Sequence, residues 1–189
     1  MSTFDYEIRY LRAGVEELED YLLSDELYGP IGLLTFHGER AYPSLTIGNM
    51  LLYKRRAEAY SASIADKNEL HQVSQQLDRI RQQWRVAWGV KTTKEFRSRL
   101  RLWRDFLNDY KVKPDQNYDR YAYEVSRRVI LQLLAPDADE IEGAELELLE
   151  ILDQYLGSVF FQHKFIWDKV LAAVFTRDPY WYLYGRLPE

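Results

Sequence analysis

Histidines 37, 71 and 163 are the side chains best suited to proton transfer or metal binding near neutral pH, so their neighbours decide what they can do. A carboxylate-bridged metal centre in a helical bundle needs Glu-x-x-His on two helices, because that spacing puts both ligands on one face. None of the three has glutamate three residues before it. Glu69 and His71 stand two apart and would point in different directions on a helix, and there is no His-x-x-x-His pair. The chain has no cysteine, which removes disulfides, thiolate metal sites, iron–sulfur clusters and cysteine nucleophiles together. No metal and no cofactor is therefore expected. His163 lies among Phe160, Phe161 and Phe165 and reads as a hydrogen-bonded core histidine, whereas His37 and His71 read as exposed.

Nucleotide and acyl-transfer chemistry find equally little purchase. Gly29, Gly32 and Gly38 match neither the phosphate-cradling loop nor Gly-x-Gly-x-x-Gly, and no Gly-x-Ser-x-Gly elbow is present. Glu145, Glu147 and Glu150 form a solvated helix face or a counter-surface for basic residues; glycoside hydrolysis from them would need a cleft that nothing predicts. No residue receives a catalytic assignment, and the balance points away from an enzyme.

Charge is the strongest pattern. Residues 79–113 hold eleven Lys/Arg against three acids, residues 1–30 hold eight acids against two arginines, and residues 137–153 hold eight acids and no base. Within the basic run, Lys94, Arg97, Arg101 and Arg104 follow helical spacing and lie opposite the aromatic stripe of Phe96, Trp103 and Tyr110. With Arg81 and Arg85 they form a candidate contact for an anion, a nucleic-acid backbone or an acidic partner. The competing reading is that the stripe faces acidic helices of the same chain or of a second copy. The net charge of −5 argues against bulk attraction to nucleic acid or anionic membrane. An amphipathic helix lying in lipid is disfavoured because its aromatic face is needed for the core.

Aromatic residues make up 15% of the chain, and the tail sets Tyr180, Trp181, Tyr182 and Tyr184 almost side by side. Four such rings cannot share one side of a short turn, so they must meet another surface. The candidates are the chain's own body, foremost the apolar stretch 27–42, and then a second subunit.

The elements that would position these residues are helices. Ile8, Leu11, Val15, Leu18 and Leu22 predict a helix over 4–23. Thr46 predicts a cap for a second helix running to about Ala65, with Ile47, Met50, Leu51, Ala57 and Ile64 inward. A third follows from Asp66 with Leu70, Val73, Leu77, Ile80, Trp84 and Trp88, stopped by Gly89. Thr92 or Thr93 would cap a fourth, built on Phe96, Leu100, Trp103, Leu107 and Tyr110 and closed by Pro114. A fifth spans about 117–134, becoming apolar nearly all round at its carboxyl end. After a turn at Pro136, a sixth has Ile141, Ala144, Leu148, Ile151, Leu152 and Tyr155 inward and ends near Gly157. Residues 159–175 are apolar around most of a helical circumference and predict a central helix, followed by a last short turn after Pro179. Residues 24–45 are too rich in glycine and proline for a helix and too apolar for disorder; they predict an ordered excursion with a hairpin through 33–36 and 41–45.

The expected fold is thus a single all-α domain over residues 1–189, a bundle of six to seven helices with a long ordered loop near 24–45. No signal-like segment or membrane span is seen, so the expected setting is the cytoplasm. The expected role is a non-catalytic protein-interaction or self-associating domain, a homo-oligomer in its simplest form. The alternative is a nucleic-acid-binding helical domain using the basic stripe of residues 79–113.

Overall fold

Thr3 has an extended backbone and its hydroxyl accepts the Tyr6 N–H at 3.3 Å, which starts helix α1 (Phe4–Leu23) where its apolar stripe begins. All five predicted stripe residues are buried. The computed structural model describes residues 3–138 and 140–189. Thr46 caps α2 (Ile47–Tyr60) through the Asn49 N–H at 3.1 Å, as expected, but this helix stops five residues short of Ala65. The cause is a stronger local signal downstream: Ser63 and Asp66 form a reciprocal capping box that opens α3 (Ile64–Gln83). Ile64 consequently sits in the first turn of α3 and is 79% exposed, not inward.

Helix α3 buries Leu70, Val73, Leu77 and Ile80 and gives way at Trp84 to α4 (Arg85–Val112). Gly89 does not stop a helix and neither Thr92 nor Thr93 caps one. All three lie inside α4 and are buried, because continuing the helix places Trp88 and Phe96 on one inward face and tertiary burial outweighs local propensity. A four-residue turn, α5 (Pro114–Asn117), has proline at its first position, and a tight turn at Tyr118–Arg120 leads into α6 (Tyr121–Leu134). Helix α7 (Gly143–Val159) runs through Gly157, and only Leu152 and Leu156 on it are fully buried; Ile151 is 52% exposed. It lies at the edge of the bundle, beside α4.

Helices α1, α2, α4 and α6 make the centre, with α3 flanking α1 and α7 flanking α4, so the all-α bundle is the observed fold. Trp103, Tyr10, Phe96 and Phe106 are among its largest fully buried side chains. The 24–45 excursion is ordered against this body: Gly29 and Leu45 exchange backbone hydrogen bonds, and Tyr42 stacks on Tyr6 at 4.5 Å between centroids. Among the described residues, 33–36 and 41–45 form no ladder. A turn at Phe36–Glu39, with Gly38 at φ 85°, reverses the chain without pairing its flanks, and Leu34 and Phe36 remain exposed.

The predicted central helix over 159–175 does not form. Phe161–Gln162 (β1) pairs antiparallel with Gly185–Arg186 (β2), and a short tight turn covers Lys169–Ala173. A central helix would have buried Gln162, His163, Lys164 and Lys169, whereas the irregular path leaves all four exposed. His163 is therefore a surface residue, not a core histidine, while His37 and His71 are exposed as expected.

Candidate interaction surface

The helical period of α4 sends Val86, Val90, Lys94, Arg97, Arg101, Arg104, Asn108 and Val112 to one side, opposite Phe96, Trp103 and Tyr110, which are buried. Val86 and Val112 are 81% and 75% exposed, so the ridge is apolar at both ends and cationic in the middle. Lys94 and Arg101 are exposed and have no carboxylate partner among the described residues. Arg97 is different: its Nε donates to Glu145 Oε1 at 2.6 Å and its Nη2 to the Glu140 carbonyl at 3.0 Å, with Glu142 at 3.6 Å. Burial pushes the Glu145 carboxyl up, but hydrogen bonds from Arg97 and the Glu142 N–H outweigh it and hold the group below its ordinary value. Arg104 pairs with its neighbour Asp105 at 2.9 Å.

Arg81 and Arg85 lie off this ridge, at the junction of α3 and α4. There they line an open cleft of about 520 Å³ with Asp78, Trp88, Pro136 and Asp137. Arg81 pairs with Asp137, whose second oxygen accepts the Trp88 indole N–H at 3.0 Å, so the turn after α6 is latched to the helix junction. Arg85 is exposed at the rim. Sequence spacing grouped six cations, and the structure separates them into a ridge and a cleft.

Three deeply buried ionisable groups, Lys91, Glu95 and Arg128, serve helix ends and helix–helix joints. Lys91 lies at the carboxyl end of α1, where it donates to the Glu26 carbonyl and the Ser24 hydroxyl and sits 4.4 Å from the Tyr21 ring centroid. Desolvation, reinforced by Lys94, lowers its pKa. Glu95 Oε2 accepts the Gly48 N–H at 2.8 Å at the amino end of α2, and Glu95 Oε1 accepts from Arg99 Nη2 at 3.1 Å. Arg128 makes a two-pronged pair with Asp153 at 2.8 and 2.7 Å, joining α6 to α7. The charge balance over residues 79–113 counts Lys91, Glu95 and Arg99 without placing any of them, and Arg128 carries no reading from the sequence. The available signal was the Glu95/Arg99 pair at i, i+4 on the flank of the aromatic stripe.

The tail turns inward. Tyr180 and Tyr182 are buried and Trp181 and Tyr184 half-buried. Tyr182 gives its carbonyl to Tyr121 Oη at 2.6 Å and its ring to Arg128, while Trp181 meets Phe160 edge-on and Tyr184 meets Phe165. The body these rings pack on is α6 and the 160–175 segment. Among the described residues, no cluster of three metal-ligating side chains is assembled, and no helix is long and apolar enough to cross a membrane. Comparison with protein-family models, curated proteins and solved structures finds no match to this chain.

Proposed function

We propose that this chain is a non-catalytic protein-interaction domain, working in the cytoplasmic setting its sequence predicts, with the outer face of α4 as its binding surface. The observation that carries this reading is the exposure of Val86, Val90 and Val112 on the same ridge as Lys94 and Arg101. Apolar side chains left in water beside cations that pair with no carboxylate among the described residues are what a docking face retains before its partner arrives. Three buried ionisable groups add support, since Lys91, Glu95 and Arg128 are committed to joining elements of the bundle. The test is photo-crosslinking in cells with p-benzoylphenylalanine placed at Val90 and, as control, at Leu34, which is 88% exposed on the excursion. A protein adduct through position 90 and not through 34 is expected; none through 90 defeats the reading.

A second reading, nucleic-acid binding by Lys94, Arg97, Arg101 and Arg104 with Arg81 and Arg85, is favoured by Lys94 and Arg101 on one helix face, which have no carboxylate partner among the described residues. Arg97 and Arg81 are already neutralised within the chain, which weakens it. A nucleic-acid adduct through position 90, with affinity falling steeply as salt rises, would favour this reading over the first.

A further inference from the structure

Two ridges of opposite charge run side by side on this molecule. Arg97 touches Glu145 near the start of α7, and Lys111 lies 5.7 Å from the Tyr155 ring near its end, so α7 runs parallel to α4 from Arg97 to Lys111. The outward side of α7 carries Glu147 and Glu150, both exposed, and α7 has no basic residue. Leu146 on its flank is 50% exposed. Interpolated between the two contacts, Arg101 lies level with Glu147.

We infer that the partner of this surface is a second copy of the chain, a reading that rests on the interaction function proposed above. A two-fold axis running along the line between the ridges lays the basic ridge of each copy on the acidic ridge of the other. A closed dimer requires one patch that is complementary to itself, and adjacent parallel ridges of opposite charge satisfy that condition. Arg101 of each copy then meets Glu147 of the other, and every such contact occurs twice. The uncovered Leu146 supplies apolar area beside those charges, and Val90 does so next to Lys94 near the end of the basic ridge.

The test is light scattering on size exclusion with the intact chain and the exposed-site variants Arg101→Glu and Glu147→Arg, each checked for folding by circular dichroism. The wild type is expected to be a dimer that weakens with salt. Each variant alone faces like charge across the axis and is expected to dissociate about tenfold or more readily. Mixing the two variants restores both contacts, so a dimer of one Arg101→Glu chain with one Glu147→Arg chain is the signature of this geometry. If a reversal disturbs folding, Arg101→Gln and Glu147→Gln replace it, each weakening the dimer. A monomeric wild type, unaffected single variants, or no recovery on mixing the reversed pair overturns the proposal. A monomer that still crosslinks to a different protein through position 90 defeats the dimer alone and leaves the interaction reading standing.

Discussion

Glu95 is fully buried and holds two elements at once, so its removal gives the sharpest test of how the centre of the bundle is built. Its carboxylate accepts the Gly48 N–H at 2.8 Å and Arg99 at 3.1 Å, and Arg99 is itself only 12% exposed. A Cβ at position 48 would come within 2.6 Å of Glu95 Oε1, so glycine there is what lets the carboxylate reach the start of α2. Glu95→Ala leaves a buried guanidinium without its counter-charge and an orphaned helix N–H; breaking a buried pair from one side costs about 3–5 kcal/mol. At about 2–4 °C per kcal/mol for a chain of this size, the melting temperature falls by about 6–20 °C. Glu95→Gln keeps an acceptor for Gly48 and loses the charge, so it falls between wild type and Glu95→Ala. Urea unfolding followed by tryptophan fluorescence gives the free energies. The control is Glu95→Leu combined with Arg99→Met, which removes both charges and is expected to recover more than half of the loss. A Glu95→Ala protein within about 1 kcal/mol of wild type would refute the reasoning, as would a double variant that is worse than Glu95→Ala.

Asp153→Ala removes the two-pronged partner of Arg128 at an edge helix; we expect a loss of about 2–3 kcal/mol and faster hydrogen exchange along α7. A loss under about 0.5 kcal/mol in urea unfolding would contradict it. Stability is also expected to fall at both ends of the pH range. The Asp66 carboxyl is lowered by hydrogen bonds from Ser63 and Ala62, and Glu145 is net lowered despite its burial. These two contributions are complete above the unfolded carboxylate value of about 4 and are lost as the pH drops through the lowered folded values. Burial pushes the Tyr42 phenol up to about 12 and those of Tyr10, Tyr53 and Tyr121 higher still. The unfolded chain ionises first, so stability is complete below pH of about 10 and declines as the pH rises beyond it. Phenolate absorbance should rise together with unfolding; ionisation of these tyrosines at their ordinary pKa in a folded protein would disprove the burial argument.

The parts of this fold legible in the sequence are those where one physical rule acts alone. The α1 stripe of Ile8, Leu11, Val15, Leu18 and Leu22, and the α4 stripe from Phe96 to Tyr110, combine a clear helical period with a polar opposite face, and both are buried as read. Thr46 was legible as a cap for the same reason, since its side chain bonds three residues on. Reading failed where a local signal competed with tertiary burial. Gly89, Thr92 and Thr93 carry the propensities of a stop and a start, yet they lie inside α4 because that helix is held by Trp88 and Phe96. The 159–175 segment failed differently. Its apolar residues fill most of a helical circle, and a central helix there would bury its polar residues as well. Gln162, His163 and Lys164 reach solvent only if the chain leaves the helix, which the pairing of Phe161 with Arg186 allows.

The candidate surface was half legible, and the half that was missed depends on contacts between distant parts of the chain. Spacing alone places Lys94, Arg97, Arg101 and Arg104 opposite the aromatic core, and that arrangement is present. Which of these cations remains available depends on where an acidic helix forty residues later comes to rest, and no local pattern encodes that. Several contacts set that place: Leu152 and Leu156 are buried, Arg128 grips Asp153, and Arg97 hydrogen-bonds Glu145, which also consumes one cation of the ridge. An exposed pair of this kind contributes only about 0.2–1 kcal/mol to folding. Its consequence is electrostatic: it neutralises Arg97 and leaves Lys94 and Arg101 as the ridge cations with no carboxylate partner among the described residues, the charge that the proposed dimer would use.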